Sequence, residues 1–208
     1  MTSVNSEPTT EQRILEAAEK EFMTKGFTGA RTTEIAKAAG TTHAMLHYYF
    51  RTKKNLFEKI IAEKIQDLQK VVLIAFDNDN MTLREQLETM ISRHLDFLAE
   101  NPSLPGFILM EMNIDPTRQH TLIEHFKPVA SNAIGRLQKS IDLAVKNGEC
   151  TYIDAKTLIL DIVSLNLFPF LASMVVKSMF GESDESYKKF IEEKKRENIT
   201  LIRKRLSL

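Results

Sequence analysis

The chain has no tryptophan and a single cysteine, Cys150, among 208 residues. A lone cysteine cannot close an internal disulfide, and it leaves no paired-cysteine spacing for a structural zinc. Glycine (7) and proline (6) are scarce, so little interrupts regular structure. Runs with the period-2 alternation of half-buried strands are missing as well. Net charge is also missing, since 28 cationic side chains balance 28 anionic ones. Composition alone therefore neither points to a polyanionic partner nor excludes one.

Several enzyme signatures are absent too. There is no HExxH, no glycine loop that cradles phosphates and no nucleophile elbow. His120 and Glu124 stand four apart and could share a helix face, but two ligands leave a metal site incomplete. The expectation is a protein that is not an enzyme and holds no cofactor. The opening MTSVNSEPTTEQ lacks the basic and apolar parts of a secretory leader. With the single cysteine, this gives a cytoplasmic expectation. The stretch from Leu158 to Val176 is apolar enough to test as a membrane span, yet it carries Asp161, Asn166 and Pro169. An aspartate at that depth is costly in lipid, so a buried or interfacial protein helix is expected.

What is present is a chain rich in Met, Leu, Ile, Glu, Lys and Ala, which are helix formers. The fold class read from this is all-α, with nine or ten helices. Thr9 and Gln12 have capping-box spacing before the stripe Ile14, Leu15, Ala18 and Phe22, and Gly26 is expected to end that helix. A second helix is expected near Thr32 or Thr33, either of which could cap it. Gly40 stops it, and Thr42 caps a third helix from His43 to about Tyr49. A fourth runs from Lys53 to about Phe76. Asp77-Asn78-Asp79-Asn80 reads as a loop. Further helices are expected over about 83–100, 107–114 and 117–146, with Pro128 a kink or boundary, and then from Asp154 to Phe180 and from Ser183 to about Leu206.

The segment Thr32 to Phe50 reads TTEIAKAAGTTHAMLHYYF. Two short helices joined by a tight glycine turn form a helix-turn-helix. Ile35, Leu46 and Phe50 would fix the second helix against the first. His43, Ala44, Met45, His47 and Tyr48 would then point outward, as residues able to meet base edges. Thr32, Thr33, Tyr49, Lys53 and Lys54 are placed to bond phosphates. Between Lys37 and Lys59 five cations face one anion, Glu58. Such a local excess suits a phosphate backbone, or simply a solvated face.

Residues 10 to 60 resemble the N-terminal domain of the tetracycline-repressor (TetR/AcrR) family. The resemblance rests on Ile14-Leu15-x-Ala17-Ala18, Phe22-x-x-x-Gly26-Phe27 and Thr32-Thr33-x-Ile35-Ala36. Ala39-Gly40, Leu46-x-Tyr48-Tyr49-Phe50 and Lys53-x-x-Leu56-Phe57 complete it. His47 stands where that family usually has tyrosine, Tyr49 where it has histidine and Thr41 where it has valine. The resemblance implies a DNA-binding head over residues 1–54 and an effector-binding, dimerising domain over 55–208. It implies DNA contacts from Thr42, His43, Ala44, Met45, His47, Tyr48 and Tyr49, supported by Thr32, Thr33 and Lys53. It also implies a ligand-responsive repressor that binds a palindromic operator in double-stranded DNA as a homodimer, paired through its last two helices (about 154–180 and 183–206). The alternative is a helical interaction module that keeps the head without binding DNA.

A small-molecule pocket in the second half is implied by the same resemblance, and its effector is unknown. Candidate lining residues are Phe76, Met90, His94, Phe97, Phe107, Met110, Asn113, Phe126 and Phe168, with Met112 and Met174 beside them. Met and Phe at helical spacing also describe an ordinary core. His94, on an otherwise apolar face, is the most distinctive polar residue in the set.

Overall fold

A computed structural model describes residues 7–78, 80–180 and 183–208. Met1–Ser6, on which the reading of the chain start partly falls, and Asp79 of the expected loop lie outside the described residues. Ten α-helices and one short 3-10 turn make up the regular structure, and no strand occurs among the described residues.

Helix α1 (Thr10–Gly29) opens with the expected capping box: Thr9 accepts from the Gln12 amide while the Gln12 side chain accepts from the Thr9 amide. It does not stop at Gly26. The chain kinks there, at φ 68° and ψ 171°, and adds one more turn to Gly29. Only glycine takes that φ without strain, and a Cβ would also lie 3.0 Å from Met110 Cε. Helix α2 (Thr32–Ala38) corrects a second expectation. Arg31, not a threonine, holds the cap position and supplies no side-chain bond. Gly40, at φ 62°, then lets the Thr41 amide return to Ala36 O, which closes the helix end.

Helix α3 (His43–Phe50) is capped by Thr42, whose hydroxyl accepts from the Met45 amide at 3.2 Å. Arg51 follows at φ 62° and ψ −53°, and the Thr52 amide bonds back to Phe50 O at 2.6 Å. This is a γ-turn of the strained hand, and it sets the sharp angle between α3 and α4. Helix α4 (Lys53–Leu73) ends in the 3-10 turn Ile74–Phe76. Helices α5 (Leu83–Glu100), α6 (Leu104–Ile114) and α7 (Pro116–Lys146) follow. Pro116 sits at the start of α7, where its missing N–H costs nothing, while Asp115 accepts from the Thr117 amide. Pro128 lies within α7 and does not divide it.

The single helix expected from Asp154 to Phe180 is two helices, α8 (Ala155–Leu171) and α9 (Ser173–Phe180), bent by 68°. Pro169 has no N–H to return to the preceding turn, and its carbonyl is claimed from outside by the Tyr187 hydroxyl at 2.6 Å. The helix ends two residues later. No single helix among the described residues is long and apolar enough to cross a membrane; the bent α8–α9 pair passes that test only when joined. Helix α10 (Asp184–Leu206) closes the chain, capped by Ser183.

The core has three parts. The first joins α1–α4 to Phe107, Leu122 and Val129 of α6 and α7. The second packs α5, α7, α8 and the end of α10 around Leu87, Leu137, Ile141 and Leu158. The third gathers Leu95, Leu98, Phe170 and Tyr187. Each such aliphatic side chain, fully buried, contributes about 1.5–3 kcal/mol.

Candidate DNA interface and internal cavity

Helix α3 is anchored from below. Leu46 and Phe50 are buried, at 2% and 6% exposure, against Ile35, Ala36 and Ala39 of the preceding helix and turn. Their spacing turns the rest of α3 outward. His43, Ala44, Met45, His47, Tyr48 and Tyr49 are all exposed, as are Thr42 and Thr33. Tyr48 is the most prominent at 64%, braced edge-on by the Tyr49 ring at 5.4 Å. Thr32 is half-buried, and its hydroxyl meets His43 Nε2 at 3.0 Å. The first turn of α2 thereby holds the first residue of α3. Thr32 is thus a brace for a neighbour on this face, in addition to whatever it offers a phosphate.

Lys53 departs from its expected place. Its ammonium donates to Ala30 O at 2.7 Å and to Thr28 O at 3.3 Å, and lies 4.8 Å above the Phe27 ring. Burial pushes its pKa down, with the nearby Arg118 charge adding to the effect. The cation closes the C-terminal end of α1, where the carbonyls lack helical partners. Lys54, Arg51 and Lys37 are the exposed cations beside α3. Among them Lys54 is only loosely paired, with Glu58 at 3.8 Å.

Behind the head lies a second constellation that sequence reasoning missed. Glu111 of α6 is 1% exposed. Its Oε1 accepts from the Phe27 amide at 2.7 Å, and its Oε2 lies 2.7 Å from Arg118 Nε of α7. The Arg118 guanidinium stacks 4.8 Å from the Phe27 ring, on which Lys53 also rests. One residue, Phe27, therefore ties α1 to α4 and α7 through its ring and to α6 through its amide. The available signal was the Gly26-Phe27 pair, which had to be answered by something across the fold.

A cavity of about 350 Å³ lies among α4, α5, α6, α7 and α8. Of the expected lining residues, Met90, His94, Phe97 and Phe126 face it, and so does Met112. The others do not. Phe76 packs into the core beside Leu87 and Ile91. Phe107 points toward the head, with its ring 5.8 Å from Phe57. Met110 is 41% exposed on the far side of α6, by Gly26. Asn113 is exposed and donates to Leu109 O. Phe168 and Met174 stand at the surface, 64% and 86% exposed. In each case the residue is apolar or amphipathic as expected, and the rotation of its helix points it elsewhere. Unanticipated wall residues include Ile108, Ala133, Ile162 and Val163.

His94 is the cavity's polar feature. Its Nδ1 meets Asn166 Nδ2 at 3.3 Å, and that same amide donates to Ile91 O at 3.1 Å. Asn198 Nδ2 in turn donates to Asn166 Oδ1 at 3.0 Å. A main-chain carbonyl can only accept, so the Asn166 atom between Ile91 O and His94 is the NH2 group. Nδ1 must then accept, and the ring is neutral with its proton on Nε2. Burial agrees, pushing the His94 pKa down to about 4.

A helix-turn-helix head with an exposed third helix, joined to a helical body around an apolar cavity, defines a ligand-responsive DNA-binding regulator. Residues 14–60 match the profile of bacterial regulatory proteins of the tetR family. The chain is 31% identical over 142 residues to the HTH-type transcriptional repressor BepR of Brucella suis biovar 1, covering 67% of this chain and 68% of that one. It is 27% identical over 180 residues to the "Probable HTH-type transcriptional regulator YttP" of Bacillus subtilis, covering 86% of each. The fold matches that of the transcriptional regulator FadR from Bacillus subtilis, solved in complex with stearoyl-CoA. There the TM-score is 0.68 and the identity 18%, over 91% of this chain and 96% of that one. The chain belongs to the tetR family of bacterial transcriptional regulators. Nothing in the fold or in these likenesses supports the alternative of an interaction module without DNA binding.

Proposed function

We propose that the protein is a cytoplasmic repressor that binds a palindromic operator as a homodimer and leaves it when the cavity is filled. The observation that carries this is the division of α3, with Leu46 and Phe50 locked inward and the whole opposite face free. In this reading residues 1–54 are the DNA-binding head and 55–208 the effector-binding and dimerising body. His43, Ala44, Met45, His47 and Tyr48 meet base edges in the major groove. Thr33, Thr42, Tyr49 and Lys54 meet phosphates, and Thr32 and Lys53 hold the head in shape. Two heads reach half-sites about 10 base pairs apart, or a multiple of that.

Dimerisation is assigned to α8–α10. Leu160, Phe168, Leu171, Met174, Val175, Met179 and Leu201 expose apolar surface there. A patch of this kind on a small domain marks a protein contact. BepR is named as a repressor, which supports the repressor reading, and FadR is solved with stearoyl-CoA, which supports a small-molecule effector without naming the one used here.

Helix α6 links the two sites. Ile108 and Met112 line the cavity, while Glu111, on the adjoining flank of the same helix, holds the Phe27 amide. A ligand that displaces α6 therefore moves the kink that carries the head. A shift from 1:99 to 99:1 on operator DNA needs about 5.5 kcal/mol of differential affinity. The test is Tyr48→Ala in a DNA-binding assay on operator selected from random sequence. Specific binding is expected to fall by a factor of ten or more, with the dimer intact by light scattering. Unchanged affinity sinks the assignment of α3.

A further inference from the structure

The cavity is unusually uniform in chemistry. Twenty residues line it, and in nineteen of them the side chain carries no nitrogen or oxygen. Lys, Arg, Asp and Glu are all absent from its walls. The exception is His94. Its Nδ1 is occupied by the Asn166 amide, and no described residue takes the Nε2 proton. That proton is therefore the one strong hydrogen-bond donor that the lining side chains offer. We propose that the cavity takes an uncharged molecule, with an apolar body and one hydrogen-bond acceptor that docks on His94 Nε2–H. A ketone, ester or ether oxygen is the fitting chemistry. The proposal rests on the reading of this cavity as the effector site.

An apolar body replaces water at the Leu, Ile, Met and Phe walls and needs no polar partner. Its size follows from the volume: at about 30 Å³ per small group, 350 Å³ holds on the order of a dozen groups of methylene size. An oxygen acceptor satisfies the single donor, which an all-carbon ligand leaves unpaired. A carboxylate or ammonium has no counter-charge in the walls and stays in water. A ligand with an anionic head fits only with that head outside the cavity. His94 cannot become a cation to help, because protonating Nδ1 breaks its bond to Asn166 and sets two donors against each other.

The probes are undecan-2-one, undecane, undecanoate and undecylamine at pH 7.5, with binding measured on the full-length protein by calorimetry. The ketone is expected to bind, and the two charged probes to bind at least about a hundredfold more weakly. In His94→Phe the ketone weakens about tenfold while undecane is unchanged. Should that variant fail to fold, nitrogen-15 histidine spectra of the wild type give the same answer. The His94 Nε2–H signal shifts with the ketone and stays put with undecane. Ala133→Phe, which fills the cavity, serves as the control. If it leaves ketone binding intact, the effector-site reading itself fails. If it abolishes binding but undecanoate matches the ketone, or the Nε2–H signal never moves, the neutral-acceptor proposal is overturned and the cavity reading stands. Absence of ketone binding to the wild type also overturns the proposal.

Discussion

At the junction of α1, α6 and α7 the molecule buries a charged pair, whereas beside the cavity it buries only neutral groups. Glu111 and Arg118 meet at 2.7 Å around the Phe27 ring. His94, Asn166 and Asn198 form a chain of amides and one imidazole. The difference has a physical consequence. A buried ion pair need not add net stability, but it makes the loss of either partner expensive, because the survivor is left charged in a poor solvent. A neutral chain is cheaper to break and leaves a polar edge available to a ligand. The charged cluster therefore suits a rigid coupling between head and body, and the neutral one suits a binding wall.

The largest predicted effect comes from breaking the charged cluster. Glu111→Ala leaves the Phe27 amide without its acceptor and takes away one of the two carboxylates that hold Arg118, the other being Asp115 at 2.9 Å. The expected loss, an orphaned buried amide plus a weakened ion pair, is about 3 kcal/mol in urea denaturation at fixed protein concentration. Glu111→Gln keeps an acceptor for the amide and removes the charge, so its loss is smaller. In that variant DNA binding should persist while release by ligand becomes less complete. A Glu111→Ala protein within about 1 kcal/mol of wild type erases the contrast between the two clusters.

The second effect sharpens the comparison through pH. Burial holds the His94 pKa at about 4, against 6.5 when the chain is unfolded. As pH falls below 6.5 the unfolded chain takes up the proton first, so stability declines from that point. The decline continues until the folded pKa near 4 is passed. By pH 5 the cost is about 2 kcal/mol. Denaturation of wild type and His94→Gln at pH 7.5 and pH 5 isolates the term. Wild type should lose about 2 kcal/mol more than the variant over that interval. Equal losses mean that His94 is not held neutral, and the assignment of its Nε2 proton goes with it.

How much of this could be read from the sequence depends on how local each cause is. The caps at Thr9 and Thr42, the stop at Gly40, and the inward set Ile35, Leu46 and Phe50 are all settled within a turn or two of chain. They were legible, and with them the exposed face of α3. Lys53 was not, because the carbonyls it satisfies lie 23 and 25 residues earlier and come close only when α1 and α4 pack. The missed pair Glu111 and Arg118 answers an amide 84 residues from Glu111. Phe76, Phe107 and Phe168 read as pocket residues because composition gives apolar character, while only packing gives the rotation of each helix. Asn166 did stand out, as a polar residue inside the apolar run from Leu158 to Val176. Its partner His94 stood out separately. Nothing local joined them.

The smallest predicted effect tests whether the neutral cluster is as forgiving as this comparison requires. Asn198 lies at its far end, 1% exposed, and donates one hydrogen bond to Asn166 Oδ1. Its own Oδ1 meets no hydrogen-bond partner among the described residues. Asn198→Ala therefore removes one neutral hydrogen bond and exchanges the unsatisfied Asn198 Oδ1 for an unsatisfied Asn166 Oδ1. The number of unpaired buried acceptors is unchanged, so the net loss should be about 1 kcal/mol, the worth of the lost bond. Affinity for undecan-2-one should not change, because the Asn166 amide still has Ile91 O and His94 Nδ1 to hold it. A loss of about 3 kcal/mol or more places this cluster in the same class as Glu111 and Arg118. Ketone binding that falls with Asn198→Ala shows that the donor at His94 is set by the whole chain of amides, not by Asn166 alone.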